Sequence, residues 1–264
     1  MKMTYDRFCT EIVTQTNLLT AAVENANLST PVPTCPGWNL GQLLRHLGGG
    51  HRWVESIVRT RATGPTSDEQ VRDLPAHRDE DPTRLAAWVT EGAETLATTL
   101  RAAGPDAQVW TPVPRGAPTP VFHARRMTHE TAVHRADATL ALGAAHTLAA
   151  DVAIDAVDEW MELGSLPEIF DVHPEKREML GPDRTLAFQA TDIAPELNAG
   201  WGIDLTGDVI RWRRSLDAAT VTVRGPLTDL LLVIYRRRTA DVSDVEIAGD
   251  QKVFDHWLDL ATFG

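Results

Sequence analysis

The hydrophobic periodicity of this chain changes near Pro182, and that change limits its fold more than any other feature. Before Pro182, apolar residues recur every three or four positions, which is typical of amphipathic helices. After it they alternate, as in Leu186, Phe188 and Ala190, which is typical of half-buried strands. The sequence therefore predicts a helical part followed by a part that contains a sheet.

Five helices are predicted in the first part. They cover about residues 5–26, 39–61, 82–102, 121–142 and 147–163, and polar or Pro-rich loops at 64–81 and 112–120 interrupt them. Asn39 is expected to cap the second helix, because Gln42 three residues later can close a capping box. Gly48–Gly50 weaken that helix intrinsically and indicate close packing there. Long amphipathic helices joined by loops predict a four-helix bundle.

The second part contains several short alternating runs. Gly207 and Asp208 separate two of them and predict a tight hairpin turn. A helix over 226–237, a short strand at Val245 and Ile247, and a last helix over 251–260 follow. We predict a smaller α+β domain with an antiparallel sheet. Its boundary is placed in the polar segment after residue 170, which gives domains 1–170 and 171–264.

Composition excludes several classes of partner. The formal net charge of -12 repels phosphates, so nucleic acid is not expected as a partner. Two cysteines cannot build a disulfide scaffold, and the first residues lack the apolar core of a signal peptide. The longest apolar run, Leu230–Tyr235, is too short to span a membrane. We therefore expect a cytoplasmic protein without a membrane partner.

The segment RRMTHETAVHRAD contains the chemistry-bearing side chains. Glu130 and His134 are four residues apart and share one helix face, whereas His129 and His134 are five apart and do not. The segment therefore fails the zincin pattern, which needs two histidines four apart. His46, at the edge of the second helix's apolar face, is the candidate for a facing ligand. Two imidazoles and one carboxylate would leave metal positions open, which is typical of a catalytic site. The alternative is that these are ordinary partly buried histidines and a solvated glutamate.

Three stretches resemble the mycothiol-dependent maleylpyruvate isomerase family, a part of the wider DinB-like group of metal-binding bundles. They are VPTCPGWNLGQLLRHLGG, RRMTHETAVHRADATLALG and TVRGPLTDLLLVIYRRR with the later VEIAGD. Because these stretches occur in order along the sequence, the resemblance covers nearly the whole chain. The resemblance implies a DinB-like bundle followed by a small α/β domain. It maps the family's metal ligands onto His46, Glu130 and His134.

The resemblance also implies a divalent metal, usually zinc, and the low-molecular-weight thiol mycothiol. A bound divalent cation deprotonates a coordinating thiol. The resulting thiolate could isomerise a small electrophilic substrate or displace a leaving group from it in an S-transfer. A metal-dependent hydrolase and a non-catalytic protein that binds a thiol conjugate remain as alternatives. The chain is expected to be a monomer or a homodimer.

Further residues have two interpretations each. Arg237 is the candidate catalytic and cofactor-binding residue, since a guanidinium can bind a carboxylate bidentately. Its alternative role, with Arg236 and Arg238, is to stabilise a helix C-terminus. Cys35 is interpreted as a packing residue of a turn rather than a nucleophile, and His51 as an outer-sphere or surface residue. Arg135 and Asp137 are expected to pair with each other or to orient a ligand histidine.

Overall fold

The computed structural model describes residues 3–72, 81–113 and 117–261, which form two compact units. The first unit is Met3–His146 and the second begins at Thr147. The predicted loops at 64–81 and 112–120 lie partly outside the described residues. Within those residues, no helix combines the length and the apolar character that crossing a membrane requires.

Within residues 3–72, 81–113 and 117–146, the N-terminal unit is a four-helix bundle with one additional short helix. Its helices are α1 (Tyr5–Val23), α2 (Leu40–Thr60), the short α3 (Glu69–Arg72), α4 (Pro82–Ala103) and α5 (Pro120–Ala141). The long helices α1 and α2 each pack against both α4 and α5. Four leucines on one face of α2, namely Leu40, Leu43, Leu44 and Leu47, are buried in this core. The four-helix prediction is confirmed, and the predicted bounds hold to within a few residues.

The predicted close packing at the α2 glycines is observed at Gly48. A Cβ atom on Gly48 would clash with the ring of Trp88 in α4. The absence of a side chain therefore lets the Trp88 ring lie directly on the α2 backbone, and this contact brings α2 and α4 together.

In the part of the chain that the structure describes, the C-terminal unit combines four α-helices with one sheet. The helices are α6 (Ala150–Gly164), α7 (Ile169–Val172), α8 (Leu227–Ile234) and α9 (Gln251–Leu260). The strands are β1 (Thr185–Ala190), β2 (Gly200–Asp204), β3 (Arg211–Arg213), β4 (Val221–Gly225) and β5 (Glu246–Gly249), in the spatial order β3-β2-β1-β4-β5. Both α8 and α9 pack against the central strands β1 and β4.

The sheet is mixed, so the prediction of an antiparallel sheet is wrong at one pairing. β1 and β4 pair in parallel, while β1–β2, β2–β3 and β4–β5 are antiparallel. The predicted hairpin is present as β2–β3, although its connection is longer than a two-residue turn. Alternation of apolar residues reports which face is buried, and it is the same in parallel and antiparallel strands.

The two units divide at 146/147, ahead of the predicted boundary at 170/171. The helix between these points, α6, packs against α8 in the C-terminal unit. The Tyr235 hydroxyl donates to the Ala156 carbonyl over 3.0 Å, and the Tyr235 ring lies 4.3 Å from that of Trp160. The amphipathic pattern of α6 fits either unit, and its side-chain contacts place it in the second.

Candidate metal centre

The start of α2 positions the first candidate ligand. Asn39 and Gln42 form the predicted capping box, in which each side chain accepts a hydrogen bond from the other's backbone N–H. Trp38, just before the cap, packs against the leucine core. The helix is therefore fixed at its first turn, and His46 follows less than two turns later.

Helix α5 supplies the other two candidates on one face. Glu130 and His134 lie one turn apart, and the His134 Nε2 atom is 3.1 Å from the Glu130 Oε1 atom. His129, on another face, is fully buried and its ring contacts Phe8 of α1. The predicted separation of His129 from His134 is therefore observed.

His46 meets this pair across the bundle. Its Nε2 atom lies 3.6 Å from Glu130 Oε1, and the three ligand atoms all lie within 4.8 Å of one another. Their side chains are 21%, 31% and 8% exposed for His46, Glu130 and His134. The fold thus brings the three predicted ligands together at a site that is partly open to solvent.

The outer nitrogen of each imidazole is engaged by an acceptor. His46 Nδ1 is 3.1 Å from the Val71 carbonyl oxygen, and His134 Nδ1 is 2.9 Å from Asp137 Oδ2. Because these oxygens accept hydrogen bonds, each Nδ1 must carry the proton. In the neutral rings both Nε2 lone pairs then point at the Glu130 carboxylate. Three electron-rich atoms that converge in this way repel one another unless a cation lies between them, either a proton or a metal ion.

The charge states of Glu130 and His134 reflect this arrangement. Burial alone would raise the pKa of the Glu130 carboxyl, but the two histidines and Arg126 hold that pKa well below its usual range. Burial alone would lower the pKa of His134, but its hydrogen bonds, first that to Asp137, raise the pKa well above its usual value. The cluster therefore favours a carboxylate with a positive charge beside it.

Cys35 lies closer to this cluster than its interpretation as a turn residue implies. Its thiol donates to Asp137 Oδ2 over 3.4 Å, and the same oxygen accepts from His134. Cys35, His134 and Asp137 form a second group of side chains with metal-ligand spacing. Asp137 contacts His134, as the second of its two expected roles requires, and Cys35 extends that chain of hydrogen bonds by one member. The sequence could have indicated this position of Cys35, because the Cys-Pro-Gly-Trp turn places a thiol and an indole just before α2, the helix that contains His46.

Trp38 packs against both metal-ligand candidates. Its ring centroid is 4.9 Å from that of His46 and 6.3 Å from that of His134, where the rings are nearly stacked. An indole in contact with both imidazoles covers part of each ring and restricts its rotation.

Comparison with known families agrees with the fold. A family model described as the mycothiol maleylpyruvate isomerase N-terminal domain matches residues 9–139, and one described as the MDMPI C-terminal domain matches residues 151–256. This chain belongs to the mycothiol-dependent maleylpyruvate isomerase family.

Two solved structures share the fold of this family member. They are crystal structures of the mycothiol-dependent maleylpyruvate isomerase and of a histidine-to-alanine mutant of it, with TM-scores of 0.59 and 0.60. Each is 13% identical to this chain, and each match covers 93% of both chains. No curated protein matches the sequence significantly.

Arg237 lies in the C-terminal unit, just past the end of α8. Arg236 adopts a left-handed conformation with φ of 58°, and the backbone N–H groups of Arg236 and Arg237 donate to Val233 and Leu232. This is a Schellman ending of the helix. The Arg237 guanidinium donates to the Tyr235 carbonyl over 2.8 Å. That contact with the helix end agrees with the stabilising role, and a catalytic or cofactor-binding role of Arg237 stays a prediction.

His51 is not a surface residue, because it is 0% exposed inside the bundle. Its Nε2 atom is 3.0 Å from the hydroxyl of Thr131, which itself donates to the Met127 carbonyl, so His51 Nε2 donates to Thr131. Burial, followed by the charge of Arg52, lowers the pKa of His51 to about 3. The ring is therefore neutral in the folded protein at physiological pH.

This burial predicts an acid-dependent loss of stability. The unfolded chain binds a proton at His51 near its ordinary pKa of 6.5, whereas the folded chain does so only near pH 3. Stability from this group is thus present above pH 6.5 and is lost as the pH falls below it. Between about pH 7 and about pH 5, His51 should lower the free energy of unfolding by about 2 kcal/mol.

The measurement compares urea unfolding of the native protein and His51→Gln at both pH values. Glutamine keeps an N–H donor for Thr131 but does not titrate, and every other titrating group is common to both proteins. Between about pH 7 and about pH 5, the free energy of unfolding should fall by about 2 kcal/mol less in His51→Gln than in the native protein. An equal fall in both proteins would show that His51 is not responsible.

Proposed function

We propose that this chain is a metal- and mycothiol-dependent enzyme that acts on a small electrophilic metabolite. The observation that most supports it is the convergence of His46 Nε2, His134 Nε2 and Glu130 Oε1, with both Nδ1 atoms engaged by acceptors. Metal-bound histidines characteristically donate their second nitrogen to a carbonyl or a carboxylate in this way. Membership of the family supports the use of mycothiol as the thiol and the assignment of the chain as an enzyme.

The donor set fits a divalent metal, and zinc best. Two imidazole nitrogens and one carboxylate oxygen are the ligands of catalytic zinc sites, which keep one position for an exogenous ligand. A divalent cation held there would keep a coordinating thiol deprotonated at neutral pH. Asp137 and the Val71 carbonyl hold the two rings in the orientation that presents Nε2, and Trp38 shields one side.

The proposed reaction is isomerisation or S-transfer. A thiolate adds reversibly to an activated double bond and so permits rotation, or it displaces a leaving group and stays attached. The name of the family favours isomerisation. We assign Arg237 to the capture of a carboxylate of the thiol or of the substrate, because a guanidinium suits that group. Cys9 and Cys35 are both free thiols, in agreement with a reducing cytoplasmic location.

Calorimetric titration with mycothiol, with and without bound zinc, tests this proposal. We expect binding by the zinc-loaded protein and none after chelation, and weaker binding by Arg237→Ala. No heat with the zinc-loaded protein would refute the thiol-dependent function, and thiol-independent turnover would indicate a hydrolase. Binding without turnover on a panel of electrophiles would indicate a thiol-binding protein. Unchanged affinity in Arg237→Ala would remove that residue from the thiol site.

A further inference from the structure

The two oxygens of the Glu130 carboxylate have different partners. Oε1 faces both imidazoles, at 3.1 Å from His134 Nε2 and 3.6 Å from His46 Nε2. Oε2 instead accepts a hydrogen bond from Arg126 Nη2 over 3.1 Å. One oxygen is therefore directed at the ligand cluster, while a guanidinium holds the other.

Helix stability does not account for this ion pair. Arg126 precedes Glu130 by four residues, and a cation placed N-terminal to its acidic partner is the less favourable order on a helix. The two side chains are 23% and 31% exposed, and ion pairs with that access to water contribute little to folding. The pair instead lies at the partly open edge of the cluster, next to the one oxygen that the histidines do not face.

The number of carboxylate oxygens that bind determines how many metal positions remain. Two imidazoles and one oxygen occupy three of the four positions of a tetrahedral zinc ion, which leaves one for an exogenous ligand. A glutamate that binds through both oxygens would occupy that fourth position. A group that keeps Oε2 away from the metal would therefore keep the site open.

We propose that Arg126 is a positioning residue that occupies Oε2, so that Glu130 offers a metal ion one oxygen and one coordination position stays open. This inference rests on the proposed metal site. The positive charge of Arg126 also opposes that of the bound cation, so Arg126 weakens metal binding while it keeps the metal accessible. If Arg126 only stabilised the fold or the position of Glu130, its removal would weaken metal binding instead of strengthening it.

The sign of the affinity change provides the test, with cobalt alone as the probe. Arg126→Met should bind cobalt about tenfold more tightly in competition with a chromophoric chelator, because a repelling charge is lost and a second oxygen is freed. Its visible absorption should change, because the second oxygen would take the fourth position in place of an exogenous ligand. Arg126→Lys, which keeps a charged donor for Oε2, should resemble the native protein.

Arg125→Met is the matched control, since it removes the same charge one residue away from the same helix. Cobalt affinity and spectrum in Arg126→Met that equal those of Arg125→Met would overturn this inference, and so would weaker binding. If Arg126→Met does not fold, Arg126→Gln applies the same test with a smaller change of shape. Failure of the native protein itself to bind cobalt would refute the proposed metal site instead, so the two failures are distinguishable.

Discussion

The variant His134→Ala is expected to purify with almost no bound metal. Its imidazole is one of only three proposed ligands, and a site of three protein ligands cannot easily lose one. The metal content of the purified protein should fall from about one equivalent per chain to near zero. Elemental analysis after removal of loosely bound ions measures this, and circular dichroism confirms that the helices persist.

His129→Gln is the matched control for this experiment. His129 belongs to the same helix segment, but its ring packs against Phe8 on another face, so its loss should leave the metal content unchanged. Undiminished metal in His134→Ala would show that the cluster of His46, Glu130 and His134 is not the metal site. Loss of metal in both variants would point to a general effect on the bundle rather than to a ligand.

The cobalt-substituted protein is expected to develop a near-ultraviolet charge-transfer band when mycothiol is added. A thiolate bound to cobalt absorbs there, whereas nitrogen and oxygen ligands do not. Glu130→Ala should show no such band, because the loss of the carboxylate removes one of three ligands and the negative charge that attracts the cation. Absorption spectra recorded during a thiol titration measure the effect.

The position of Cys35 makes one control necessary. Its thiol lies 3.4 Å from Asp137 Oδ2 and forms a group of metal-ligand spacing with Asp137 and His134. A band present before mycothiol is added would therefore come from Cys35. Cys35→Ser should abolish any such band, keep the band that mycothiol induces, and retain most of the activity with some loss of stability. If the native cobalt protein does not respond to saturating thiol, the thiolate mechanism is wrong for this protein.

Local sequence determined the helices and the shared face of two of the three candidate ligands. The helical period and the capping signals at Asn39 and Gln42 predicted α2 closely, because both depend on residues within a few positions of each other. The shared face of Glu130 and His134, and the exclusion of His129 from it, followed from helix geometry alone. The pairing of His46 with that face was expected from its place on α2 and from the family resemblance.

Only the tertiary structure decided which elements meet. The parallel pairing of β1 with β4 and the place of α6 beside α8 depend on contacts between distant segments, and the local patterns are the same for either outcome. The same holds at the site, where 102 residues separate Cys35 from Asp137 and 25 separate His46 from Val71. Short-range periodicity determines which face of an element is buried. The packing of whole elements determines what that face touches. Here it placed the Val71 carbonyl and the Cys35 thiol beside the candidate ligands and their hydrogen-bond partners, whereas Arg126 and Asp137 reach Glu130 and His134 along the same helix.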